Sequence, residues 1–326
     1  MQQPNGTVLL ADVGGTNCRI ALSGGPGTLS HVTRFVNAEY DSFYDVLARF
    51  SELHDTSRIS SCCVAIAGPV ASGGAKLTNR NWLFSPAAIA AGFPLMSEHS
   101  VVLINDLAAL GYALPHLAQA QLDEIFPATT EVAANNQALV VGLGTGFNVC
   151  LTMQGQTGPV VMEAELGHAS LPCIVAERLR DEIGSGAARF QSSESLFSGR
   201  GMSQLYAFFS DGKPSAADAV LANYLATGTG PAFETVTVMN RLLGVFAREL
   251  MYQYLPFAGL HFAGGVARGL LGSEARSHFL TEFTATGRLA DRLQPVPVRV
   301  ITDDGAALTG AAWLLSRRMA LNTAAR

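Results

Sequence analysis

Two stretches of this chain follow one plan: an apolar strand, a tight glycine turn, then a second apolar strand. TVLLADV (7–13) breaks at Gly14-Gly15 and resumes as CRIALS (18–23), and ALVVGLGTGFNVCLTM (138–153) repeats the arrangement. Paired apolar runs separated by glycines read as β-hairpins. The turns DVGGTN and GLGTGFN begin at residues 12 and 142. That spacing reads as an internal duplication, with one hairpin facing the other across a cleft. Two ordinary hairpins would give the same pattern by coincidence, and both readings stay open.

The segments around the hairpins alternate between strand and helix. Phe43, Val46, Leu47, Phe50 and Leu53 recur at helical spacing and predict a helix over 41–53. CVAIAGPV (63–70) reads as a buried strand and ASGGAKLTNRNW (71–82) as a loop. VVLI (101–104) reads as a strand ending at Asn105-Asp106, and LAALGYALPHL after it as a helix. LHFAGGVARGLLG (260–272) predicts strand, Gly-Gly turn and helix. DDGAALTGAAWLLSRRMA (303–320) predicts a helix capped by Asp303 or Asp304. Such alternation gives an α/β architecture.

At 326 residues the chain exceeds what one core usually organises, so two lobes are expected. The expected division is a small α/β domain at 1–106 plus about 305–326, and a large α/β domain at about 107–304.

Composition removes several function classes. Hydrophobic residues make up 48% of the chain and charged residues 14%, which excludes general disorder. The net charge is −5, and Lys and Arg form no basic block, so neither nucleic acid nor a membrane surface is an expected partner. An anionic ligand would then depend on local backbone donors. Cys18, Cys62, Cys63, Cys150 and Cys173 are odd in number and include no Cys-x-x-Cys pair, so reduced core thiols are expected. MQQPNGTVLLADV lacks the basic and long apolar regions of a signal peptide, and no apolar run spans a bilayer, so the cytoplasm is the expected location.

Asp12-Val13-Gly14-Gly15-Thr16-Asn17 combines a glycine pair, open to close approach by an anion, with donors at Thr16 and Asn17. Asp12, at a strand end, suits a Mg²⁺ held through water; the same residues also make an ordinary hairpin turn. The second turn, Gly142-Leu143-Gly144-Thr145-Gly146, invites a dinucleotide reading, with Glu163 at about the right distance. Phe147 occupies the third glycine's place, and NVCLTM continues as a strand, which weighs against that reading. No Walker phosphate loop occurs. Asp106, after a buried strand, is a candidate base that orients an attacking hydroxyl, and Asp is equally a favoured helix N-cap. Glu165 and His168 in EAELGH could exchange hydrogen bonds with sugar hydroxyls, and Glu194 adds a carboxylate. Glu165-x-x-His168 matches half of a di-iron helix motif, but no second copy exists. Each of these residues suits a solvated loop equally well.

DVGGTNCRIAL, AIAGPV with TNRNW, IND, GLGTGFNV, EAELGH, ESLFSGRG and FAGGVARG stand in that order. In this the chain resembles the bacterial glucokinases of the hexokinase–actin–Hsp70 superfamily, from residue 8 to the terminal helix. The resemblance implies a two-lobed actin-like ATPase (ribonuclease H-like) fold with an interlobe cleft. It implies that Asp12 to Thr16 and Gly144, Thr145 and Gly146 are two phosphate hairpins, with Gly264-Gly265 as an adenosine turn. Asn105, Glu165, His168 and Glu194 are then sugar-hydroxyl ligands, and Asp106 is the base. A cysteine-rich zinc motif is missing, which places the resemblance with the zinc-free branch. Leu166-Gly167 stands where the family commonly has Gly-Gly, and Asn148 where a glycine is frequent; both bear on the fit of the sugar.

The expected activity is ATP- and Mg²⁺-dependent phosphorylation of glucose at its 6-hydroxyl, with hexose and Mg-ATP as the small-molecule partners. Another hexose or an amino sugar remains open as substrate, as do ADP or polyphosphate as donor and a homodimer as the assembly. A sugar-sensing repressor would need a helix-turn-helix domain, for which the eleven residues before Asp12 leave no room. A nicotinamide oxidoreductase is weakened by the failed fingerprint.

Overall fold

The computed structural model describes residues 7–25, 27–71, 73–127, 135–285 and 295–324. The chain divides into two compact units, residues 1–117 with 303–326, and residues 118–302.

The first unit contains β1 (Thr7–Val13), β2 (Asn17–Gly25), β3 (Thr28–Val36), α1 (Phe43–Leu53), β4 (Ile59–Ile66), β5 (Val70–Ala71), β6 (Gly74–Lys76), β7 (Leu83–Phe84), α2 (Pro86–Ala90), β8 (Val101–Asn105) and α3 (Asp106–Ala113). Its main sheet runs β3-β2-β1-β4-β8. The first three strands form an antiparallel meander, and β1, β4 and β8 are parallel. Strand alternation sends Leu9, Ala11 and Val13 to one face and Val8 and Leu10 to the other. The former pack with Phe43, Val46 and Phe50 of α1. That helix starts as the apolar spacing predicts, with Ser42 and Asp45 closing a capping box.

The second unit contains β9 (Leu122–Phe126), β10 (Gln137–Leu143), β11 (Phe147–Gly155), β12 (Gly158–Glu163), α4 (Cys173–Ile183), α5 (Ser193–Leu196), α6 (Gly199–Phe209), α7 (Ala217–Thr227), α8 (Gly230–Tyr254), β13 (Gly259–Ala263), α9 (Gly265–Leu271), α10 (Arg276–Phe283) and β14 (Val298–Ile301). Its sheet runs β12-β11-β10-β13-β14-β9. Again three antiparallel strands are followed by two parallel ones, β13 and β14, with β9 added at the edge. The order of the first sheet is therefore repeated in the second. The doubled hairpin in the sequence is the visible part of this doubled topology, the arrangement of the two-lobed actin-like fold. At its centre, Phe147 of β11 lies 5.4 Å from Phe246 of α8 and 6.0 Å from Phe197, ring centre to ring centre. This packing fixes where the second glycine turn re-enters the sheet.

The last helix, α11 (Ala306–Ala324), returns to the first unit. Leu308, Ala311 and Leu315 cover the β1 face that carries Val8 and Leu10. It crosses α3 so closely that a Cβ on Gly310 would sit 1.8 Å from the Ala109 carbonyl oxygen. This contact keeps α3 in the first unit, whereas the boundary expected at 106 put it in the large domain. Before α11, Asp303 Oδ1 accepts from the Gly305 nitrogen at 2.8 Å, and Asp304 turns to Arg19 at 2.9 Å.

Three local expectations differ from the structure. The strand expected at 63–70 is β4, Ile59–Ile66: the Gly68 nitrogen donates back to the Ile66 carbonyl at 2.8 Å, which turns the chain out of the sheet. The expected loop 71–82 contains the β5–β6 hairpin, which β7 extends to a three-stranded sheet. Cys173 is exposed, unlike the other four cysteines, and all five thiols are free. Among the described residues no helix is long and apolar enough to cross a membrane.

Candidate active site

In the first unit, the hairpin β1–β2 closes where the Gly14 nitrogen donates to the Asn17 carbonyl at 3.0 Å. The carbonyls of this turn are all engaged by the protein. Asn37 donates its Nδ2 to the Gly14 oxygen at 2.8 Å and its backbone nitrogen to the Thr16 oxygen at 2.9 Å. Arg80 donates Nε to the Gly15 oxygen at 3.3 Å. No protein acceptor among the described residues meets the N–H groups of Gly15 and Thr16. A turn whose oxygens are occupied and whose N–H groups are open is suited to an anion. Beside the turn, Asn17 Oδ1 accepts from Arg34 at 3.1 and 3.2 Å.

Asp12 lies on β1 opposite Arg19 of β2. Its side chain is 16% exposed, and Oδ2 is 3.7 Å from Arg19 Nη1. Burial raises its pKa from 3.8 to about 6; Arg19 opposes this and Asp304 adds to it. Two carboxylates thus face one guanidinium. No cluster of three or more His, Cys, Asp or Glu able to enclose a metal occurs among the described residues.

Asn105 and Asp106 separate two roles that the sequence left joined. Asn105 is the N-cap of α3: its Oδ1 accepts from Leu107 and Ala108 nitrogens at 2.9 and 3.4 Å. Its Nδ2 donates to the Gly68 carbonyl at 3.4 Å. Asp106 is half-buried at the first helical position and accepts from the Leu107 nitrogen at 3.0 Å. The cap reading thus passes to Asn105. The loop after β6 connects this strand end to the glycine turn. The Thr78 nitrogen donates to the Ala67 carbonyl at 3.1 Å, and Asn79 Nδ2 stands 3.2 Å from where a Gly15 Cβ would be. The first unit therefore brings Asp12, the turn, Asn105 and Asp106 to one end of its sheet.

In the second unit, the turn at 144–146 leads into β11 and not into a helix, and this removes the dinucleotide-fingerprint reading. Glu163 ends β12 as an exposed residue. Gly264 adopts φ +104°, and a Cβ there would lie 2.5 Å from the Leu143 oxygen, so glycine alone lets α9 begin against this turn. Gly265 opens α9, and the Gly199 nitrogen donates to the Gly144 carbonyl at 2.8 Å.

Glu194 Oε2 accepts from the Phe147 nitrogen at 3.2 Å, and its Oε1 from Arg200 Nη2 at 2.7 Å. Asn148, also on β11, donates Nδ2 to Glu165 Oε2 at 3.1 Å and accepts from the Leu166 nitrogen at 3.0 Å. His168 Nε2 lies 3.9 Å from the same Glu165 oxygen. Gly167 packs so tightly on the Phe147 carbonyl that a Cβ would sit 2.1 Å from that oxygen. Hence Glu165, His168 and Glu194 gather around the start of β11.

Four residues of these clusters were missed in the sequence. Asn148 stood out only as a departure from the family pattern. Arg200 lies in ESLFSGRG and Arg80 in TNRNW, but neither motif assigns it a contact. Asn37 gave no signal at all.

The glucokinase family profile matches residues 9–318. The bifunctional protein glk of Burkholderia thailandensis is 32% identical over 99% of this chain and 50% of its own length, so the chain spans about half of such relatives. A glucokinase of Tolumonas auensis is 30% identical over 96% of this chain and 98% of its own. The crystal structure of a glucokinase from an Antarctic psychrotroph superposes with a TM-score of 0.74 at 27% identity, covering 96% of this chain and 99% of that one. Profile, full-length relative and structural match agree, and the chain belongs to the glucokinase family.

Proposed function

We propose that the chain transfers the terminal phosphoryl group of ATP to the primary hydroxyl of a hexose in the cytosol, glucose being the first substrate to test. The observation that carries this reading is the first-unit turn, with its three carbonyls engaged and its N–H groups open, on the same sheet end as Asp106. Phosphoryl transfer requires positioning and charge stabilisation more than covalent chemistry from the protein. Gly15 and Thr16 would donate to phosphate oxygens, as would Thr145 and Gly146, while Gly14 and Gly144 close the two turns through their own N–H groups and leave room for close approach, with Gly264 and Gly265 beside the adenosine. Asn105, Glu165, His168 and Glu194 would hold sugar hydroxyls. Asp106 would accept the proton of the attacking hydroxyl.

The residues fit Mg²⁺ bound together with its nucleotide. Asp12 is a half-buried carboxylate on the strand that leads into the glycine turn, and Mg²⁺ characteristically takes one or two carboxylates plus waters and phosphates. The ion would supply charge neutralisation at the phosphate oxygens, with Asp12 holding it through water. A coupled assay with Mg-ATP across glucose, mannose, fructose and amino sugars tests the reading. We expect sugar-dependent ADP formation, strongest with glucose; ADP release that no sugar stimulates would refute it.

A further inference from the structure

We propose that Arg80 is a further catalytic residue, whose guanidinium contacts the phosphoryl group during transfer; this rests on the kinase reading above. Arg80 is half-buried and fixed at two points. Nε donates to the Gly15 oxygen at 3.3 Å, and the guanidinium carbon lies 5.9 Å from the ring centre of Trp82. Trp82 is itself 3% exposed, so the ring is a rigid support. A guanidinium carries five donors in a planar fork, and only Nε is used here. No protein acceptor among the described residues engages its two Nη groups, and no carboxylate pairs with it.

The other arginines near this turn are committed. Arg19 pairs with Asp12 and Asp304, and Arg34 donates twice to Asn17. Arg80 alone of these three keeps its full charge and its bidentate edge, because its anchor is a neutral carbonyl. That anchor belongs to Gly15, whose N–H is among the open donors. Loop 78–80 also runs between this turn and the Asn105 end of β8, the strand that delivers Asp106. A fork held by one corner beside an anion-binding turn has the geometry for phosphoryl oxygens, which arginine recognises in two-point fashion. The Nε bond alone would only brace the Gly15 carbonyl, and the experiment must separate these roles.

Steady-state kinetics and hexose titration calorimetry on the full chain compare wild type, Arg80→Ala and Arg80→Lys. In Arg80→Ala, kcat should fall about 10²–10³-fold, the scale of losing one charge-stabilising donor. Hexose affinity should hold within about twofold, and millimolar guanidinium should restore at least about tenfold of the lost rate. Arg80→Lys, which keeps the charge and loses the fork, should fall between the two. A kcat within about threefold of wild type overturns the proposal, as does a loss that guanidinium does not reverse. Should Arg80→Ala not fold, Arg80→Gln keeps a donor for Gly15 without the charge, and near-normal turnover there is equally decisive. A wild type that phosphorylates no hexose fails the kinase reading itself; an active wild type with an unaffected variant fails this inference alone.

Discussion

The backbone nitrogen of Phe147 donates to Glu194 Oε2 at 3.2 Å, so a carboxylate from α5 is tied to the first residue after the second glycine turn. Phe147 itself packs against the stacked pair Phe197 and Phe246. The aromatic core therefore sets the height of Glu194, and Arg200 at 2.7 Å sets its rotation. Glu194→Gln keeps an acceptor for Phe147 but loses the charge. Hexose affinity should weaken about 10–100-fold, as expected for losing charge-assisted hydrogen bonds, with little change in melting temperature. Calorimetry showing unchanged affinity would remove Glu194 from the sugar site.

Gly264 and Gly265 are adjacent but should respond differently to the same change. A Cβ on Gly264 meets the Leu143 oxygen at 2.5 Å in a φ +104° backbone, whereas a Cβ on Gly265 meets nothing within 4 Å. Gly264→Ala should destabilise the fold by about 2–4 kcal/mol in urea melts, from strain and backbone clash. Gly265→Ala should stay within about 0.5 kcal/mol of wild type. Any rise in KM for ATP in Gly265→Ala then reports nucleotide contact rather than misfolding.

The elements most readable from sequence were those with local causes. The hairpins, α1 and the strand–turn–helix at 260–272 each carry their periodicity and breakers within a dozen residues. The repeated sheet order was half legible, because its first two strands share a motif while the parallel strands share only apolarity. What escaped were contacts closing over long separations. Asn37 grips a turn more than twenty residues earlier in the chain, and Arg80 reaches Gly15 across α1 and the five strands β2 to β6. Gly310 sits within an ordinary alanine-rich helix, and only its contact with the Ala109 carbonyl shows why a side chain is barred there. Asn105 and Asp106 show the same limit on a smaller scale. Both are good capping residues, and the backbone of α3, not the sequence, decides which one caps.

That division makes Asp106 separable from the cap of α3. Asp106→Asn should leave the cap of α3 in place, because Asn105 holds it. Turnover should fall by about 10²–10⁴-fold, the usual scale of general-base assistance, while hexose still binds in calorimetry. Asn105→Ala should instead lower stability by about 1 kcal/mol through the lost cap. Near-normal turnover in Asp106→Asn would take the residue out of the proton-accepting role.

Asp12 gives a pH test that needs no substrate. Its folded pKa is about 6 against an ordinary 3.8. Between those values the folded chain binds more protons than the unfolded one, and stability falls as pH rises wherever that holds. The penalty is therefore absent below about pH 4, grows to about pH 6 and is constant above. Its ceiling is about 3 kcal/mol for a shift of roughly two units. In metal-free buffer Asp12→Asn should be more stable than wild type at pH 8, and urea melts should converge toward pH 4. Mg²⁺ with nucleotide should raise the melting temperature of wild type at pH 8 well beyond that of Asp12→Asn, because only the carboxylate offers a charge for the ion to neutralise. Equal metal-dependent stabilisation of both proteins would show that Asp12 does not hold the ion.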